Sequence, residues 1–114
     1  MTYQLDTVFI WVNDLGRSVD WYRKLGIEPG PVYGPWQTMV VDGETRFALH
    51  QGSRPEGPST AVPSFRVDDL DAHITRLDAA GIEPTDPEIT DTGVARFTTF
   101  TDPDGNEVQL LERT

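Results

Sequence analysis

The chain has 114 residues, 37% of them hydrophobic and 25% charged, with 19 acidic side chains against 9 basic ones and a formal net charge of −10. This length suits one domain with a real core, and the composition excludes a disordered chain. A field of this sign repels phosphate backbones, which excludes nucleic acid as the expected partner and favours a cationic ligand or basic partner, beside its plain effect on solubility.

The lack of cysteine removes any disulfide framework, thiolate metal site or cysteine nucleophile. No apolar run approaches the roughly 20 residues of a membrane helix. The opening Met-Thr-Tyr-Gln-Leu-Asp has neither the basic region nor the apolar core of a signal peptide. A cytoplasmic protein without membrane contact is the expectation.

Residues 7–12 read as a strand, with Val8, Ile10 and Val12 on one face and Thr7, Phe9 and Trp11 on the other. Asn13 and Asp14 are helix-start residues. Leu15, Val19, Tyr22 and Leu25 then fall at helical spacing, and Gly26 supplies the stop. The Pro/Gly-rich residues 29–36 allow only a short or irregular strand. Residues 37–41 and 46–50 form a hairpin across Asp42-Gly43. A linker at about residues 53–60 separates two modules, about 1–52 and 61–114.

The second module repeats the first at an offset of 55, carrying Leu25-Gly26-Ile27-Glu28-Pro29 onto Ala80-Gly81-Ile82-Glu83-Pro84. Residues 62–67 are its first strand, and Asp68 and Asp69 start its helix. Leu70, Ile74, Leu77 and Ala80 make the stripe, and Gly81 closes it. A short strand after Ile82, a strand at 94–101, the turn Asp102-Pro103-Asp104-Gly105-Asn106 and a strand at 107–112 complete it. The order is βαβββ twice, an α+β fold with helices on one side of a curved sheet.

Val12-Asn13-Asp14-Leu15-Gly16-Arg17-Ser18, Trp21-Tyr22-Arg23-Lys24-Leu25-Gly26 and the stretch from Phe100 to Leu110 through Asp102-Pro103-Asp104-Gly105-Asn106 carry a resemblance. Together with the repeat, they resemble the vicinal oxygen chelate superfamily of glyoxalase I, bleomycin resistance proteins and extradiol dioxygenases. The resemblance implies a curved eight-stranded mixed sheet forming a cup, with helices outside, and a homodimer. The metal ligands of that family, His or Gln then Glu in each module, fall here on Thr7, Ala48, Val62 and Gln109. Three of these are not ordinary ligands, so the expectation is no metal and no cofactor. His50, two residues beyond Ala48, is the candidate for a displaced site. His73 sits at the edge of the second helical stripe.

On this alignment the ligand-binding candidates are Phe9, Trp11, Trp36, Arg46, His50, Ser64, Arg66 and Gln109. Trp11 and Phe9 either stack on a flat ligand or fill the core; Trp36 belongs at the rim, and Trp21 is read as packing. An inward Arg46 or Arg66 needs a partner, either a ligand carboxylate or an acid such as Glu44 or Glu107. Asp68, Asp69, Asp102 and Asp104 are explained by caps and turns. No phosphate loop is present, since Gly30-Pro31-Val32-Tyr33-Gly34 lacks a lysine and a following helix.

Three functions follow. The first is metal-independent binding of an aromatic or cationic small molecule, with antibiotic sequestration as the biological role. The second is a lyase, isomerase or dioxygenase using a displaced metal or His50 with Arg46 or Arg66 in acid–base work. The third is an accessory domain whose cup is filled by its own side chains.

Overall fold

A computed structural model of the protein describes residues 5–52, 62–90 and 93–113. The chain folds as two compact units, residues 1–59 and 60–114. The stretch read as a linker lies outside the described residues.

In the first unit β1 (Val8–Val12), α1 (Leu15–Lys24), β2 (Glu28–Tyr33), β3 (Trp36–Val41) and β4 (Glu44–Gln51) follow in order. In the second, β5 (Ser64–Arg66), α2 (Leu70–Ala79), β6 (Glu88–Ile89), β7 (Ala95–Thr101) and β8 (Glu107–Arg113) repeat it. This is the expected α+β class with βαβββ modules. The eight strands expected in one sheet hydrogen-bond as two sheets of four, ordered β1-β4-β3-β2 and β5-β8-β7-β6. The physical reason lies in the pairing: each first strand runs parallel to the fourth strand of its own module, which completes the ladder locally.

Both helices start and stop by the same devices. The Asp14 carboxylate accepts from the Arg17 amide at 3.1 Å, and Asp69 accepts from Ala72 at 3.1 Å. The last strand of each module adds a second cap: Gln51 Oε1 accepts from the Leu15 amide at 3.1 Å and Glu112 Oε2 from the Leu70 amide at 2.7 Å. At the other end Gly26 (φ 93°) and Gly81 (φ 79°) take the left-handed conformation. The amides of Ile27 and Ile82 then reach back to the carbonyls of Tyr22 and Leu77 at 3.2 and 2.9 Å, and those four side chains are buried. The repeated Gly-Ile-Glu-Pro is thus a Schellman exit with its hydrophobic contact.

The helix-facing side of the first sheet holds the core. Ile10, Val12, Phe47 and Leu49 are buried there, and the Tyr22 ring meets Phe47 at 5.6 Å. The α1 stripe is shifted from the one expected. Ser18 is fully buried and Val19 only half-buried, since a small residue lets the helix approach the sheet closely. In the second unit Leu70, Leu77, Ile82, Phe100, Val108 and Leu110 form the core.

Proline shapes the shorter strands. In β2 the pairing with β3 shifts between Pro29 and Val32, and the Gly30 and Pro31 carbonyls are taken by the side chains of Gln37 and Thr38. The first strand of the second unit spans only Ser64–Arg66, because Pro63 has no amide to donate; its carbonyl still accepts from Gln109 at 2.9 Å. The β3–β4 hairpin closes on Asp42 (φ 54°) and Gly43 (φ 74°), the two left-handed residues of a type I′ turn.

Candidate functional site

The side of the first sheet away from α1 carries Phe9, Trp11, Trp36, Ala48 and His50. Strand register creates this group: Trp11 and Trp36 are both partners of His50, while Phe9 and Thr38 are both partners of Ala48. Four rings close over the face. Trp11 lies 4.3 Å and Trp36 5.5 Å from His50, and Phe9 sits 4.9 Å from Trp36 and 5.7 Å from Trp11, centroid to centroid. Ala48 is fully buried among them, while Phe9 remains 41% exposed. Tilted and edge contacts of this kind leave ring faces available to a further flat group.

Two details fix the rings. A side chain at Gly52 would come within 2.9 Å of the Trp11 indole, so the indole is wedged between the Gly52 backbone and His50. His50 Nδ1 lies 3.0 Å from the Gln51 carbonyl, which only accepts. Nδ1 therefore carries a proton, and Nε2 is the nitrogen left for a ligand.

At one end of this unit a cavity of about 690 Å³ is walled by Leu5–Thr7, β2, β3 and the β3–β4 turn, with Tyr33, Trp36, Thr38, Glu44 and Arg46 in its lining. Phe9, Trp11 and His50 do not line it; Trp36 belongs to both the cavity and the ring cluster. Arg46 pairs with Glu44 at 2.7 Å and donates to the Leu5 carbonyl at 3.0 Å, so the internal acid named from sequence is its partner.

The remaining candidates lie on the second sheet. Ser64 Oγ donates to Gln109 Oε1 at 2.7 Å, in register across β5 and β8. Arg66, two residues along, is exposed and has no hydrogen-bond or ion-pair partner among the described residues. Sequence reasoning missed Leu5, Asp6, Tyr33, Thr38 and the turn residues of the cavity wall.

The acids set aside on sequence grounds are structural. Asp102 is buried and accepts from the Asp104 and Asn106 amides at 2.9 and 2.8 Å and from the Asn106 side chain at 3.0 Å. The Trp21 ring meets Tyr22 edge-on at 4.8 Å. His73 accepts from Arg76 within α2, and partial burial followed by the Arg76 charge lowers its pKa. A histidine with a lowered folded pKa binds its proton more readily when unfolded, so its contribution to stability is full above about 6.5 and is lost as pH falls through the folded value. The His73→Gln variant should lose less stability than wild type when urea melts are compared between pH 7.5 and pH 5.

The positions to which the resemblance assigns metal ligands are Thr7, Ala48, Val62 and Gln109. In the first unit Thr7 Oγ1 donates to Asp6 at 2.8 Å, and Ala48 carries no donor atom. In the second, Val62 has none either, and Gln109 Oε1 is engaged by Ser64. Among the described residues no three His, Asp or Glu side chains converge.

Two βαβββ modules, each a four-stranded mixed sheet with one helix, place the chain in the α+β class. The model of the Glyoxalase/Bleomycin resistance protein/Dioxygenase superfamily matches residues 4–110, and the chain belongs to that superfamily. No curated protein matches it. Solved structures show the same fold. An integron cassette protein from the mobile metagenome of a Halifax Harbour sewage outfall is 23% identical, with TM-score 0.80 over 97% of this chain and 99% of that one. The fosfomycin resistance protein FosX of Listeria monocytogenes is 18% identical, with TM-score 0.79 over 100% and 96%. A protein of unknown function from Agrobacterium tumefaciens is 26% identical, with TM-score 0.80 over 100% and 97%.

Proposed function

We propose that the protein binds a flat aromatic small molecule on the open face of its first sheet, without a metal, and that its role is sequestration of such a molecule in antibiotic resistance. The observation that carries this reading is the ring cluster of Phe9, Trp11, Trp36 and His50, held half-open above a buried Ala48. A core-filling role would bury all four rings, and Phe9 is not buried. Superfamily membership and the fold of the fosfomycin resistance protein support a resistance role. The Mn(II) named with that protein in a further structure is not carried over, because Ala48 and Val62 have no donor atom and the Thr7 hydroxyl is not an ordinary ligand. The expected partners are the small molecule and a second copy of the chain, in a cytoplasmic setting.

A second reading rests on His50. With Nδ1 committed to the Gln51 carbonyl, Nε2 is the nitrogen a general acid or base would use, in a lyase, isomerase or dioxygenase of this fold. Arg46 is not its partner, being tied to Glu44 and Leu5.

Quinoline at pH 8 is the first probe, followed by tryptophan quenching and by calorimetry. Saturable binding with quinoline recovered unchanged supports sequestration. No saturable response overturns the proposal, and a conversion abolished in His50→Ala would replace it with the enzyme reading.

A further inference from the structure

We infer that the cavity beside the ring cluster is a subsite for an organic cation, so that the full ligand is a flat ring system carrying a positive charge. This rests on the proposed binding function and deepens it. The cavity walls bring together two aromatic rings, Tyr33 and Trp36, and two carboxylates, Asp6 and Glu44, against one cation, Arg46.

The charges of the wall do not cancel. Arg46 uses Nε on Glu44 Oε2 and an end nitrogen on the Leu5 carbonyl, so its charge is paired with Glu44 and two of its five N–H donors are engaged. Asp6 Oδ2 accepts from the Thr7 hydroxyl at 2.8 Å. Asp6 Oδ1 and Glu44 Oε1 have no partner among the described residues. One carboxylate is left in excess, within a chain of net charge −10. The lining is net negative, so an anion is disfavoured, whereas a cation meets the carboxylates of Asp6 and Glu44 and the rings of Tyr33 and Trp36. Arg46 also ties two parts of the lining together, fastening Leu5 to β4. Thr38, whose hydroxyl is spent on the Pro31 carbonyl, adds no competing donor.

The test compares quinoline with N-methylquinolinium, nearly the same shape with and without a permanent charge, by calorimetry at pH 8 and low salt. N-methylquinolinium is expected to bind about threefold to tenfold tighter, the factor one partly screened charge pair supplies. Asp6→Asn should remove most of that difference. Asp78→Asn, the same loss of charge on exposed α2 of the other unit, should leave the difference unchanged. Equal binding of the two probes would overturn the inference, as would an Asp78→Asn effect as large as that of Asp6→Asn, which would trace the preference to the overall field. Quinoline binding without a cation preference defeats this inference alone. If neither probe binds, the function reading falls with it.

Discussion

Asp102→Ala is expected to destabilise the protein by about 2–4 kcal/mol, a shift of roughly 1–2 M in a urea melt. The carboxylate is 5% exposed and takes hydrogen bonds from two amides and one side-chain amide within the turn between β7 and β8. Alanine leaves those donors without their acceptor. Asn is little better, because its NH₂ group turns a donor toward donors. The backbone of the turn depends on the same residue: the Asp102 amide and carbonyl bond Asn106 and Gly105 at 2.9 and 3.0 Å. Glu107→Ala, at an exposed position just beyond, should stay within about 0.5 kcal/mol of wild type. A loss below about 1 kcal/mol for Asp102→Ala would mean that these bonds contribute little net stability and that the acid has another purpose.

Trp36→Ala is expected to weaken quinoline binding tenfold or more, the largest functional effect of any single change. Trp36 is the ring common to the cluster and the cavity, 4.9 Å from Phe9 and 5.5 Å from His50. Its loss removes a stacking face that the cluster and the cavity share. Trp21→Phe provides the contrast, since that ring packs on Tyr22 in α1, and quinoline affinity should be unchanged. An intact Trp36→Ala affinity would move the binding site off this face.

Much of the fold was legible because local chemistry specified it. The offset of 55 carried the caps Asp14 and Asp69 and the exits Gly26 and Gly81, features that depend on a few neighbouring residues. The ring cluster was legible only in part. Alternation placed Phe9 and Trp11 together, but the approach of Trp36 depends on the register of β3 against β4, which a bulge can reset. The cavity wall was legible only at Thr7, Trp36, Glu44 and Arg46. Leu5 and Asp6 lie in an unpatterned segment, and the prolines of β2 hide a strand whose missing ladder bonds are replaced by Gln37 and Thr38. Ser18 shows the limit of apolar periodicity, which selects Val19 where close packing selects the smaller neighbour.

Fold and function separate cleanly here. Membership of the superfamily fixes the fold and leaves the chemistry to the side chains of the site. At the positions that the resemblance assigns to metal ligands this chain carries Thr7, Ala48, Val62 and Gln109, and the face of its first sheet away from α1 carries an aromatic cluster.

The most direct test of metal-free binding is a calorimetric titration of N-methylquinolinium in the presence of EDTA, repeated after exchange into Mn(II) and then Zn(II), with native mass spectra of each sample. The account predicts the same affinity in all three conditions and a protein mass without retained metal. Binding that vanishes in EDTA and returns with one tightly held ion per chain would contradict it, and would make His50 and Gln109 the first ligands to test by substitution.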